Sequence, residues 1–406
     1  MTNGTKGGLD RRGFLAGTAA ATGLLAAPGL LRAAPAGIKI GLIHPVTGAL
    51  SYSGNQCRAG AEMAIADINA AGGIKAMGGA PLEAVLGDSQ SKPAIGASET
   101  ARAIEDGAIG IVAGYASSIC MATSQEAAKT NTPHIVDVGV ADSIMTRGLT
   151  NTFRFGPGYG KIARDAVGAL DAINKAAGSP AKTVVIVHED SAFGTGTAKL
   201  LSSELPKHGF EILKVIAHPT PTRDFTNIAL QVKAANPDII IPANYYNEYV
   251  LFARTIRQQQ IKPKAIYSVL GGAASSYKFV KDFPDAAEGV MDTNHWFNPK
   301  SELALARKKA AEAKGLFYTY EVYLTYNAVA LLADAIERAG STDHDKVIAA
   351  LNASTWDKHG MPYGPTKIVD GQNTGAQPVN TQVQGGQIDV IRPAAFAQAE
   401  PKFPMV

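Results

Sequence analysis

Two neighbouring hydroxyls, Ser117 and Ser118, follow an apolar run at residues 109–112 and open a segment that reads as a helix. A helix N-terminus carries free backbone N–H groups and the positive end of the helix dipole, a setting that holds an oxygen anion. Simple N-capping by Ser118 is the plainer reading of the same residues. The other reactive side chains are scattered. His44 follows the first apolar run, His188, Glu189 and Asp190 stand in a row, and His295 precedes Trp296. A histidine beside two acids suits a metal or a general base. At a strand-to-helix turn, however, adjacent side chains diverge and supply turn bonds, and His295-Trp296 reads as cleft wall or core. The chain has no Gly-x-Ser-x-Gly, no phosphate-binding loop, no His-Glu-x-x-His and no Gly-x-Gly-x-x-Gly after its first strand. The expectation is no metal, no cofactor and no bond-breaking reaction. Aromatics stand at loop mouths instead: Tyr52, Phe193 and the pair Tyr245-Tyr246. Asp142, after a turn at Gly139, either caps a short helix or faces a ligand ammonium.

Positioning these residues requires strands and helices in alternation. Residues 37–73 set the pattern: Ile38, Ile40 and Leu42 mark a strand, and Pro45, Gly48 and Gly54 a loop. Ser53 is placed to cap a helix whose inner face carries Cys57, Ala61, Ala64, Ile65 and Ile68, and Gly72-Gly73 stops it. The loop leaves the carboxyl end of the strand, where parallel sheets bind ligands. The unit repeats with a strand at Leu82, Val85 and Leu86, a helix over 93–105, a strand over 109–112, a helix over 119–129 and a strand over 135–138. The stretch TNTFRFGP reads as a first crossing between lobes. From Tyr159 the alternation restarts, with strands at KTVVIVHED, 238–241 and 265–270. DAAEGVMDTNHWFNP reads as a return to the first lobe, followed by helices over 303–315 and 320–339. Short β segments then turn at Asp370-Gly371 and Gly385-Gly386.

The first 36 residues read differently. Arg11-Arg12 precede Phe14-Leu15, an alanine- and leucine-rich stretch runs from Leu15 to Leu31, and Ala34-Pro35-Ala36 fits a small-x-small cleavage site. That order is a twin-arginine export signal. The net charge of +3 is concentrated there, in Lys6, Arg11, Arg12 and Arg32 against Asp10. The remainder is close to neutral, which gives a polyanion no electrostatic support, and no nucleic-acid motif is present. Roughly 370 residues beyond the leader suit two domains. Two cysteines, Cys57 and Cys120, make no disulfide framework; a bond between them is open to an exported protein.

Taken together, GLIHPVTGALSYSGNQCRAGAEMAIADINAAGGI, GIVAGYASS, TFRFGP, HEDSAFGTG, DAAEGV, TWDKHGMPYGP and QGGQIDVIRP, in that order, resemble type I periplasmic solute-binding proteins of the branched-chain amino-acid and amide-binding class. The resemblance runs from Gly37 to about Pro393. It implies an α/β fold of two doubly wound parallel-sheet lobes around a hinged ligand cleft. One lobe would comprise 37–154 and 287–358, the other 155–286 and 359–395, with 396–406 a surface tail. It implies a periplasmic receptor that hands a small amino acid, amide or organic carboxylate to an ABC permease. A monomer suffices, since a cleft closing on its ligand needs no dimer. A sensor for signalling and a soluble α/β enzyme are the alternatives. By matching stretches, Ser117 and Ser118 would meet a carboxylate or amide oxygen, and Tyr52, Phe193, Tyr245 and Tyr246 would wall the pocket. Val138 and Val140 occupy a turn that offers a backbone carbonyl and commonly a hydroxyl. Gly272 and Ala273 match the place of an acid that pairs with an ammonium. Neither valine carries a hydroxyl and neither Gly272 nor Ala273 a carboxylate, so an uncompensated ammonium would be costly. Asp142 or Glu248 would have to supply the missing charge.

Overall fold

The computed structural model describes Gly4 and residues 35–405; the expected export signal, but for Gly4, Pro35 and Ala36, lies outside the described residues. Apolar runs buried on both faces form the central strands, as parallel sheets require. The chain alternates β1 (Ile38–His44), α1 (Ser51–Ala70), β2 (Leu82–Asp88), α2 (Pro93–Glu105), β3 (Ile111–Ala113), α3 (Ser117–Ala128), β4 (His134–Val136) and β5 (Thr152–Arg154). It restarts with α4 (Tyr159–Ala176), β6 (Thr183–Glu189), α5 (Ala192–Glu204), β7 (Glu211–His218), α6 (Thr226–Ala235), β8 (Ile239–Ala243) and α7 (Tyr246–Gln258). Then come β9 (Ala265–Val269), α8 (Tyr277–Asp282), α9 (Pro284–Ala287), β10 (Met291–Asn294), α10 (Glu302–Ala313), α11 (Tyr320–Ala339) and α12 (His344–Asn352). The short strands β11 (Ile368–Val369), β12 (Gln372–Asn373), β13 (Val379–Gln384) and β14 (Gln387–Arg392) close the fold.

Two seven-stranded sheets result, in the orders β2-β1-β3-β4-β5-β12-β11 and β7-β6-β8-β9-β10-β13-β14. In each, the first five strands pair in parallel, Gly41 of β1 opposite Ile111 of β3 and Val184 of β6 opposite Ile239 of β8. Antiparallel pairs follow at one end, β11 with β12 in the first sheet, and β10 with β13 and β13 with β14 in the second. The sheets are therefore mixed rather than purely parallel. Central strands β8 and β9 are buried at every position, whereas the edge strands β2 and β7 leave several residues exposed. This is the expected difference between a strand covered on both faces and one at a border.

Sheet membership corrects the predicted lobe boundaries. β10 was placed with the first lobe from residue 287, yet it pairs with β9 and β13 in the second sheet. β11 and β12 fall in the stretch assigned to the second lobe, yet β12 pairs with β5 in the first sheet. Strand pairing joins segments far apart in sequence, so no local pattern reveals it. The C-terminal residues do not simply trail. Met405 N donates to Lys264 O at 2.6 Å, and Gln382 Nε2 donates to Lys402 O at 2.8 Å. Cys57 and Cys120 are both buried and free, so no disulfide joins them. Among the described residues, no helix is long and apolar enough to cross a membrane.

Candidate functional site

Each sheet presents the carboxyl ends of its parallel strands to the space between the lobes, where open α/β sheets bind ligands. On the first lobe, Tyr115 follows β3 in the left-handed region, φ +63°, an uncommon conformation for a residue with a side chain. Its amide donates to Asp137 Oδ1 at 3.0 Å, as does Val138 N at 2.6 Å. The other carboxylate oxygen meets His44 Nε2 at 3.0 Å and Thr325 Oγ1 at 3.3 Å. Asp137 thus ties the ends of β1, β3 and β4 to α11. Burial alone would raise its pKa, but the bonds from His44, Tyr115 and Val138 outweigh that and hold it below the ordinary carboxylate range.

Helix α3 begins at Ser117, two residues before its predicted start, with Ala116 at the N-cap and no side-chain cap. Ser118 is therefore not the cap. The first-turn amides of a helix have no partner within it, so the end of α3 stays available to an acceptor. Ser117 is buried and its Oγ accepts from Ala141 N at 3.1 Å. Ser53 is not a cap either: its hydroxyl donates to Glu321 Oε1 at 2.8 Å across to α11.

The second lobe has its own anchors. Glu189, at the end of β6, accepts from Ser191 N and Oγ at 2.7 Å each and from Gly194 N at 2.5 Å, while Ser191 caps α5. This packs Phe193 at the mouth, with its ring 5.2 Å from that of Tyr245. Asp292 in β10 accepts from Ser275 Oγ at 2.6 Å, Asn294 Nδ2 at 3.0 Å and Gly271 N at 3.2 Å. Burial prevails over these bonds and pushes its pKa up to about 6. Leu270, like Tyr115, is left-handed, at φ +59°. Gly272 N donates to Asn244 O at 2.9 Å. A Cβ at Gly272 would lie 2.5 Å from Tyr246 N, so the backbone after β8 occupies the space an acidic side chain there would need.

These loops enclose an interlobe cavity of about 30 Å³. Of the predicted residues, Ser117, Val138, Val140, Phe193, Tyr245 and Gly272 line it. Tyr52 and Tyr246 stand beside it and meet across the lobes, their rings tilted by 33° with centroids 4.0 Å apart. Ser118, Asp142 and Ala273 are not among its lining residues. Asp142 pairs with Arg154 at 3.0 Å and accepts from Gly160 N at 3.1 Å, so it anchors the first crossing between lobes instead of facing a ligand. Glu248 also lies away from the lining; it is buried, and burial raises its pKa.

Sequence reasoning assigned no ligand role to five lining residues, Tyr115, Asn244, Leu270, Asn294 and Tyr320, and read a sixth, His295, only as cleft wall or core. Tyr115, Asn244, Leu270 and His295 each stand within two residues after a strand that ends at the cleft, and that position was the available signal. Tyr320 had none, being the first residue of a helix whose strand partners are remote in sequence. Among the described residues, no aspartate, glutamate, lysine or arginine lines the cavity, and no group of three residues could hold a metal.

Two α/β lobes joined by several crossings, with strand ends facing a shared cavity, define a two-lobed solute receptor. The chain belongs to the periplasmic binding protein family, whose model matches residues 37–387. It is 28% identical over 386 residues to Leu/Ile/Val-binding protein homolog 7 of Brucella abortus, covering 91% of this chain and 95% of that one. Homolog 8 of the same organism is 27% identical over 403 residues, with 95% and 97% covered. A leucine-binding protein from Thermotoga maritima superposes with a TM-score of 0.76 at 24% identity, covering 87% of this chain and 97% of that one. A solute-binding protein from R. palustris in complex with benzoate gives 0.75 at 22% identity, with 90% and 98% covered.

Proposed function

We propose that this protein is a periplasmic receptor that captures a small organic acid or amide with an apolar body and delivers it to an ABC permease. The observation that carries the reading is the chemistry of the cavity wall. Its faces are apolar and aromatic, its polar groups are neutral, and the uncapped start of α3 with Ser117 supplies donors for an oxygen anion. A branched-chain amino acid would bring the same carboxylate and apolar body, and the Brucella relatives carry that name. It would also bring an ammonium, and the lining offers it no carboxylate. Glu321 follows the lining residue Tyr320, but it is turned to Ser53 and burial raises its pKa, which makes it a poor counter-ion. The R. palustris protein that holds benzoate shares the fold and illustrates that the architecture accommodates an acid without an amine.

The test is calorimetric titration of ligand-stripped protein lacking residues 1–36. The probes are leucine and isoleucine, their deaminated acids, benzoate, and the corresponding amides. The acids or amides are expected to bind at least tenfold more tightly than the amino acids. Tighter binding of leucine than of 4-methylpentanoate would overturn the choice of solute.

A further inference from the structure

Two polar side chains buried on the cavity wall carry atoms with no hydrogen-bond partner among the described residues. Both ring nitrogens of His295 are unpartnered and the residue is 2% exposed. Its backbone, by contrast, is fully engaged: Asn294 Oδ1 accepts from its amide at 2.8 Å, and Tyr323 donates to its carbonyl at 2.8 Å. The backbone is therefore held in place while the ring keeps its whole hydrogen-bonding capacity. Burial drives its pKa down to about 3, with the Arg154 charge adding to the effect. The ring is neutral near neutral pH and carries one donor and one acceptor.

Asn244 is the second group. His218 fixes which way its amide points. His218 Nδ1 lies 3.0 Å from the carbonyl of Pro219, which can only accept. Nδ1 therefore carries the proton, and burial keeps the ring neutral. Nε2 is then the acceptor, and Asn244 must offer its Nδ2 to it. This leaves Asn244 Oδ1 as a fully buried acceptor with no donor. Buried polar atoms in folded proteins are nearly always paired, and an orphan at a ligand cavity points to what the ligand brings.

We infer that His295 and Asn244 form a second polar pole of the cavity, which reads a neutral hydroxyl or carboxamide N–H on the solute. This deepens the acid reading and rests on it. The carboxylate would meet the start of α3 on the first lobe, the apolar body would lie against Val138, Val140 and Phe193, and the donor would meet Asn244 Oδ1. A hydroxyl can also accept from the His295 ring. A site built to bond such a group discriminates strongly against the analogue lacking it, because its own buried atoms are then left unpaired.

Matched pairs of acids test this by calorimetry on the protein without residues 1–36: benzoate with 3- and 4-hydroxybenzoate, and hexanoate with 6-hydroxyhexanoate. In the wild type, at least one hydroxylated member should bind about tenfold or more tightly than its parent. His295→Phe should bring that ratio toward one, and His295→Gln should restore part of it. Parents and hydroxylated members binding alike, or a ratio unchanged in His295→Phe, would overturn the second pole while leaving the acid reading intact. Should His295→Phe not fold, the wild-type ratios alone decide. Binding of α-amino acids with no binding of any acid in either pair would remove the acid reading, and this inference with it.

Discussion

Asp137 and Asp292 do similar jobs in the two lobes, each tying strand-end amides together, yet they titrate in opposite directions. Asp137 has His44 as a partner and three further donors, and its pKa is lowered. Asp292 is held by two side chains and one amide with no imidazole among them, and burial raises it to about 6. A carboxyl that holds its proton more tightly folded than unfolded contributes stability below its unfolded value, near 4. That contribution is lost as the pH rises through the folded value near 6. The shift corresponds to roughly 3 kcal/mol. Urea unfolding between pH 4 and pH 7 should therefore show Asp292→Asn gaining on the wild type by up to about that amount; parallel curves would refute the assignment. Such details were beyond the sequence. It named Ser117, Phe193 and Tyr245 because each follows an apolar run, and it noticed the missing acid at Gly272. It could not show that Asp142 is taken up by Arg154 or that His295 lacks a partner, because both facts depend on which remote segments meet.

Elements were legible wherever local pattern determines them. The helices over 93–105 and 320–339 coincide with α2 and α11, since an amphipathic or fully buried apolar stretch between clear stops has few alternatives. The sheet ends were not legible, because β10, β11 and β12 take their lobe from their partners. The contact between α1 and α11 shows how a remote partner fixes one residue. A Cβ on Gly60 would lie 2.3 Å from the carbonyl oxygen of Val322, a backbone atom of the facing helix that cannot rotate away. Gly60 therefore permits close approach of the two helices, a role that depends on a partner remote in sequence. Gly60→Val should push the helices apart and cost about 1–3 kcal/mol, read as a lower denaturant midpoint with an unchanged slope. Retention of the wild-type midpoint would mean that the helix pair gives way to the added side chain without loss.

At the scale of the whole molecule, the cavity is too small for its proposed cargo to enter as the lobes stand. About 30 Å³ has room for one or two waters, and the walls come from both lobes. The tilted rings of Tyr52 and Tyr246 and a bond from Asn247 Nδ2 to Ala49 O at 3.2 Å join the lobes beside it. The chain crosses between the sheets after β5, after β10 and after β12, and such short crossings can flex to open the cleft. A solute touching both lobes would then favour the closed arrangement by the difference in its affinity for the two states. Closure without solute would rest on contacts such as the tyrosine pair, worth about 0.5–1.5 kcal/mol beyond area burial. Tyr52→Ala should shift the ligand-free population toward open forms, raising the radius of gyration in X-ray scattering and weakening solute binding up to about tenfold. Saturating solute should return the variant to the compact value. If scattering from the wild type is the same with and without a bound solute, and Tyr52→Ala binds that solute as tightly, the lobes do not hinge. The solute would then have to enter by local movement of the Tyr52 and Tyr246 rings within a fixed frame.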